Sequence, residues 1–171
     1  MFVPVFGTQF DTTRLRGSTL VLPSQCVGLS AHIGMELFIL NQGMEKVGYY
    51  KSDYIAPVII NDNMTLAGQV LGQTSMPAEV WYSAEKNMTF LMIRSGPVGG
   101  MRKFADELVA FIMATDFAKV ALLTATVSPV LRERDSTRSI PEVFAYCNNF
   151  MFKANRNYYM QNGIRKFGYW I

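Results

Sequence analysis

Between Thr19 and Tyr50 the hydrophobic period of the chain changes twice, and this stretch restricts the possible folds more than any other. Thr19-Leu20-Val21-Leu22 is apolar, partly β-branched and stopped by Pro23, which reads as a short buried strand. Ser24 to Gly28 connects it to a helix expected over Ser30–Gln42. Ser30 can cap that helix, and its apolar positions Ile33, Leu37, Phe38 and Leu40 recur three and four residues apart. Gly43, after Asn41-Gln42, can take the left-handed conformation that ends a helix. Lys46-Val47-Gly48-Tyr49-Tyr50 then resumes as a strand. Joining two strands through a helix requires a crossover, and a crossover sets the strands in the same direction. The expected fold class is therefore α/β, with a mixed, largely parallel sheet flanked by helices.

The rest of the chain extends this pattern. Phe2 to Phe6 is apolar, but Pro4 confines it to a sheet edge. Asp11 to Gly17 reads as a polar loop, and Tyr54 to Ile60 as a strand broken by Pro57. Thr65 to Pro77, with Gly68, Gly72 and Ser75, reads as an exposed excursion. Ala78–Tyr82 and Met88–Arg94 form a predicted hairpin. In its second strand Met88, Phe90 and Met92 face one way and Leu91 and Ile93 the other, as in a strand covered on both faces. The glycine-rich loop Gly96 to Gly100 opens onto a helix over Met101–Ala114. Phe104, Leu108, Phe111 and Ile112 form its apolar face, and Arg102, Lys103, Asp106 and Glu107 its wet face. Lys119 to Thr124 reads as another buried strand. Ser139-Ile140-Pro141-Glu142 has the form of a capping box. One domain over residues 1–150 followed by an aromatic, basic tail over 151–171 accounts for the pattern.

Composition narrows the function classes. Half of the 171 residues are apolar and 17% are charged, which describes a globular chain. A net charge of +3 from scattered basic residues gives no nucleic-acid footprint, and Arg132-Glu133-Arg134-Asp135 mixes its signs. Cys26 and Cys147 make no disulfide framework and suit a reducing compartment. The sequons at Asn63 and Asn87 read as chance. The first ten residues lack a basic n-region, and no run reaches the roughly 20 apolar residues of a membrane span. A soluble, intracellular protein is the expectation.

Candidate chemistry is sparse. His32 is the single histidine, and Cys26 is near it in sequence, so a nucleophile–base pair is conceivable. A helix-surface histidine and a small buried thiol account for them as well. One histidine and two cysteines are too few soft ligands for zinc. Gly28 and Gly34 sit at a strand-to-helix turn, where phosphates bind helix N-termini, but no Gly-x-Gly-x-x-Gly or Gly-Lys-Ser/Thr accompanies them. Gly28 reads as a turn residue, and Gly34 as a point of close helix–sheet packing. Asp53, Asp62, Glu79, Asp106 and Glu107 fall in expected loops or on wet faces, with no acid–base spacing. No catalytic set and no cofactor site emerges, which points to binding or scaffolding. The runner-up is a small α/β enzyme of the nucleoside-phosphorylase or amide-hydrolase kind on the same frame, and a third reading is a simple oligomeric structural domain.

Several short segments, in order, resemble the proteasome assembly chaperone 2 family. They are Leu20-Val21-Leu22-Pro23, Val27-Gly28, Met35-Glu36-Leu37-Phe38-Ile39, Lys46-Val47-Gly48-Tyr49-Tyr50 and Asp53 to Pro57. Leu91-Met92-Ile93-Arg94-Ser95, Ala118 to Leu123 and Arg138-Ser139-Ile140-Pro141 continue the series, so the register holds from Phe2 to about Tyr146. The resemblance implies an α/β fold like that of nucleoside phosphorylases, without their activity. It also implies a heterodimer with proteasome assembly chaperone 1 that promotes ring assembly by the α-subunits of the 20S core particle, in cytoplasm and nucleus. The chain departs from the family in two ways. Gly28-Leu29-Ser30-Ala31-His32 stands where the family usually has Gly-Asn-Val-Gly-Gln, and the chain is shorter than typical members, so that it is either a compact divergent member or one altered after Tyr146.

The chain ends Tyr169-Trp170-Ile171. Proteasome activators and assembly chaperones commonly end in a hydrophobic residue, Tyr and any residue, which docks between α-subunits. By that resemblance Tyr169 supplies the hydrophobic position, Trp170 replaces the tyrosine and Ile171 carries the carboxylate.

Overall fold

The computed structural model describes residues 1–7, 9–24, 26–61, 74–125, 144–145 and 165–166. The chain divides into two compact units, Met1–Thr126 and Val127–Ile171. In the second, β9 (Phe144–Ala145) pairs in parallel with β10 (Arg165–Lys166).

The first unit is built on a six-stranded sheet. Its strands are β1 (Phe2–Pro4), β2 (Thr19–Pro23), β3 (Glu45–Tyr50), β6 (Ala78–Ser83), β7 (Met88–Ile93) and β8 (Lys119–Leu123), in the order β1-β3-β6-β7-β2-β8. A separate short ladder joins β4 (Ile60–Asn61) to β5 (Thr74–Ser75). Helix α1 (Ser30–Asn41) follows β2, and α2 (Met101–Thr115) follows β7. The β2–α1–β3 crossover does set its two strands in the same direction. The β6–β7 hairpin lies between them, so β2 pairs with β7 and not with β3. Four strands run one way, but only β2–β7 and β2–β8 are parallel pairings; β1–β3, β3–β6 and β6–β7 are antiparallel. The sheet is mixed because the hairpin reverses its middle.

The alternation in β7 is as expected. Leu91 and Ile93 join Leu20, Leu22, Val47, Val80 and Tyr82 on the face covered by Phe104, Leu108, Phe111 and Ile112 of α2. Phe90 and Met92 join Val21, Met35 and Ile39 on the α1 face, where Phe38 stacks on Phe90 with ring centroids 5.0 Å apart. β1 is an edge strand, as Pro4 requires. It lies tight on β3, for a Cβ at Gly48 would come 2.5 Å from the Val3 carbonyl and strike the Phe2 ring.

Several expectations are corrected. Within the expected polar loop, a 3-10 turn over Thr12–Leu15 is capped by the Asp11 carboxylate and inserts Leu15 into the core. No strand runs from Tyr54 to Ile60; Ile55 makes one bridge to Pro97, and β4 begins only at Ile60. β8 is the opposite edge and not a buried strand, with Val120, Leu122 and Leu123 exposed. Glu107 belongs to no wet face: it accepts hydrogen bonds from Ser52 Oγ (2.9 Å) and Tyr50 Oη (3.3 Å). Burial, then the Glu107 charge and hydrogen bond, push the Tyr50 phenol well above its ordinary pKa.

The largest correction concerns α1. Ala31, Met35 and Ile39 face the sheet, whereas Ile33 and Leu37, expected in the core, are 51% and 55% exposed. Both sets recur at four-residue spacing, so periodicity could not say which set faces inward. Ser30 is not the cap but the first helical residue. The cap position is Leu29, left-handed at φ 53° and 59% exposed. Gly28 serves the turn before it at φ 69°, and Gly43 ends the helix at φ 57°, as read.

Candidate functional site

In an α/β sheet, ligands gather at the carboxyl ends of parallel strands. Here those are the ends of β2 and β7, with the first turn of α1 beside them. The β2–α1 connection brings Cys26 under the helix start, where Ala31 N–H donates to Sγ at 3.4 Å and Ser30 Oγ lies 3.8 Å away. The Ala31 hydrogen bond, seconded by the Ser30 hydroxyl, holds the half-exposed thiol below its ordinary pKa.

His32, half-buried and not on the open helix surface, turns to the other side. Its Nε2 donates to the Ile93 carbonyl at 2.8 Å, because a carbonyl can only accept. Its Nδ1 is buried and has no hydrogen-bond partner among the described residues. Cys26 and His32 thus bond to different partners, and the structure does not join them as nucleophile and base. Ser24 Oγ and Ser95 Oγ, just past the ends of β2 and β7, are also buried and have no hydrogen-bond partners among the described residues.

Beside this corner lies an ionic cluster that sequence reasoning missed. Glu79 of β6, expected in a loop or on a wet face, is 0% exposed. Its Oε1 accepts from Lys46 Nζ (2.9 Å) and the Met76 amide (3.2 Å), and its Oε2 from Arg94 Nη1 (2.6 Å). Arg94 Nη2 makes an ion pair at 3.3 Å with Glu36 Oε1 of α1, without the alignment of a hydrogen bond. Lys46 Nζ also lies over the Trp81 ring, 5.1 Å from its centroid. Two cations and two carboxylates balance, so the cluster has no surplus charge to attract an ionic ligand. Its geometry ties β3, β6, β7 and α1 together. The sequence signal was Glu79 inside Ala78-Glu79-Val80-Trp81-Tyr82, a carboxylate in an otherwise apolar strand run.

Gly34 was expected to permit close helix–sheet packing. It is exposed, and a Cβ added there would meet nothing within 4 Å. Among the described residues, no three His, Cys, Asp or Glu side chains gather to hold a metal ion, and no helix is long and apolar enough to cross a membrane. Tyr169, Trp170, Ile171, Cys147 and the Ser139–Glu142 capping box lie outside the described residues.

No family model matches the chain. Over 129 residues it is 30% identical to proteasome assembly chaperone 2 of Bos taurus, covering 75% of this chain and 48% of that protein. For the Nematostella vectensis protein of the same name the identity is 30% over 129 residues, 73% of this chain and 52% of that one. For the Homo sapiens protein it is 28% over 129 residues, with 75% and 48% covered. The chain therefore spans about half the length of these relatives. Among solved structures it resembles Pyrococcus furiosus PbaA, described as an archaeal homolog of proteasome-assembly chaperone, with a TM-score of 0.62 and 16% identity over 91% of this chain and 61% of that one. A Thermoplasma acidophilum protein of unknown function gives a TM-score of 0.63 and 14% identity, covering 94% and 59%. At such low identity, these structural likenesses concern the fold.

Proposed function

We propose that this chain, related over three quarters of its length to the proteasome assembly chaperone 2 proteins, is itself a proteasome assembly chaperone and not an enzyme. It pairs with proteasome assembly chaperone 1, and the heterodimer promotes assembly of the 20S core particle α-ring in cytoplasm and nucleus. The tail Tyr169-Trp170-Ile171 enters a pocket between α-subunits, with Trp170 supplying an aromatic face and one N–H donor in place of the tyrosine hydroxyl. No cofactor takes part. A nucleoside-phosphorylase-like fold belongs to the same reading.

The observation that carries this reading is the 129-residue similarity. The site geometry agrees with it. Cys26 and His32 bond apart, and the Glu79–Arg94–Lys46–Glu36 cluster is balanced and serves the frame.

Co-expression with proteasome assembly chaperone 1, followed by affinity purification, tests the heterodimer; recovery of the chain without that partner overturns it. Deleting Tyr169 to Ile171 tests the tail. An anchor aromatic in a desolvated pocket contributes about 2 kcal/mol or more, so binding to α-rings should weaken at least roughly tenfold while the heterodimer persists. Undiminished binding by the truncated chain removes the tail from the proposal.

A further inference from the structure

We propose that Glu36, Arg94, Glu79 and Lys46 form a conformational relay, through which a change of charge at Lys46 on β3 loosens the seat of α1, and a change at Glu36 on α1 loosens Lys46. The proposal rests on the geometry of these four side chains and does not depend on the chaperone reading.

The four ions stand in line with alternating sign. Glu36 pairs with Arg94 at 3.3 Å, Arg94 with Glu79 at 2.6 Å and Glu79 with Lys46 at 2.9 Å. The two in the middle are buried, whereas the side chains at the ends, Glu36 and Lys46, are 30% and 21% exposed. Solutes and partner side chains can therefore reach the ends and not the middle. Among the described residues no hydrogen bond or ion pair joins Glu36 to Lys46, so their coupling runs through the buried pair.

Arg94 is the point at which the line opens. Its Nη1 bond to Glu79 is short and aligned, but Nη2 meets Glu36 without the alignment of a hydrogen bond. The guanidinium is shared unequally, and the α1 end is the weaker link. His32, one turn before Glu36 on the same side of α1, donates to the Ile93 carbonyl. These two attachments thus land on consecutive residues, Ile93 and Arg94, where β7 ends. Left-handed residues bound the helix, Gly28 and Leu29 before it and Gly43 after it, so turns and not strand ladders hold its ends.

Charge balance sets the direction of the effect. The intact line sums to zero. Without the Lys46 charge, Glu79 keeps one cation, draws Arg94 wholly to itself and leaves Glu36 unpaired. α1 then has two states: seated, with Arg94 shared, and released, with Arg94 held by Glu79 alone. A partner carboxylate that takes up Lys46 biases α1 in the same way as loss of its charge. Without the Glu36 charge, Arg94 serves Glu79 alone, and Lys46 is free to turn to water or to the Trp81 ring. By linkage the two effects are equal in free energy. Removing both end charges leaves Arg94 and Glu79 as a balanced pair, so the double loss is milder than the two single losses combined.

Native-state hydrogen exchange of the full 171-residue chain tests the relay. The amides of Met35 and Ile39 in α1 are read relative to that of Leu91 in β7, so that a general loss of stability cancels. Lys46→Met should raise the relative opening of α1 at least roughly threefold, although Lys46 makes no bond to α1 among the described residues. Lys46→Arg, which keeps the charge, should leave it within about twofold, as should Lys86→Met at the β6–β7 turn. Glu36→Gln should raise it at least roughly threefold, and the double variant should fall at least roughly threefold below the product of the single effects. Glu36→Gln alone, at a partly exposed site, gives the reverse reading even where Lys46→Met does not fold. It should speed acetylation of the Lys46 amine, mapped by peptide, at least roughly threefold. α1 exchange unchanged by Lys46→Met overturns the proposal, as do single effects that multiply in the double variant. So does a Lys46 amine that reacts no faster in Glu36→Gln. Failure to recover proteasome assembly chaperone 1 would count against the proposed function alone.

Discussion

Arg94 reaches Glu79 from just past the end of the neighbouring strand with a 2.6 Å hydrogen bond from Nη1 to Oε2, and neither side chain is more than 9% exposed. The pair sits between the sheet and α1, where removing one ion leaves the other without compensation. Glu79→Gln should therefore cost about 3–5 kcal/mol in urea unfolding. Arg94→Ala should cost more than Lys46→Ala, because Lys46 is 21% exposed and its ammonium can turn to water. Equal losses at the two cations would show that the cluster is less buried than its geometry.

A second buried pair permits a cycle. Ser18 Oγ donates to the Leu15 carbonyl at 2.7 Å and lies 2.7 Å from Thr89 Oγ1, both residues being 0% exposed. Ser18→Ala alone orphans the Thr89 hydroxyl and should cost about 1–3 kcal/mol. Adding Thr89→Val removes the orphan. The double variant should be less destabilised than the sum of the single ones by about 1 kcal/mol or more, read from chemical denaturation.

At Gly48, alanine would place its Cβ against the Val3 carbonyl and the Phe2 ring. Gly48→Ala should push β1 off β3 at a cost of about 1–3 kcal/mol. Hydrogen exchange should report it as lost protection at Lys51 N, which bonds Met1 O, while β6 and β7 keep theirs.

The lowered pKa of Cys26 has a defined pH signature. A thiol depressed in the folded state contributes stability that is present above the unfolded pKa and lost as pH falls through the folded pKa. Its alkylation, mapped by peptide so that Cys147 is separated, should reach half-maximal rate at lower pH than the same thiol in the unfolded chain. Ser30→Ala should move that midpoint upward. A midpoint identical in folded and unfolded protein would show that the Ala31 amide does not stabilise the thiolate.

Sequence patterns carried the parts of the fold in which each residue has one plausible side. β7 was legible because its two apolar sets alternate strictly. The α2 face was legible because charge opposes it. α1 was not, because Ala31-Met35-Ile39 and Leu29-Ile33-Leu37 have the same spacing, and only packing distinguishes the set on the sheet. β8 read as buried because Val120, Leu122 and Leu123 are apolar, although the topology leaves it at an edge. Glu79 was misplaced because its compensating cations come from Lys46 and Arg94, 33 and 15 residues away. Such pairings exist only once the strands have been ordered.

The place of β2 between β7 and β8 also fixes an order in time. β6 and β7, joined by a short turn at Asn87, can close within microseconds of being made. β2 has no such neighbour, since its partners follow it by 69 residues at Met88 and by 100 at Lys119. On a ribosome adding about 5–20 residues per second, Leu20 and Leu22 remain without a ladder for several seconds. The crossover helix can form in that interval, but it cannot be seated until the hairpin arrives to complete the surface beneath it.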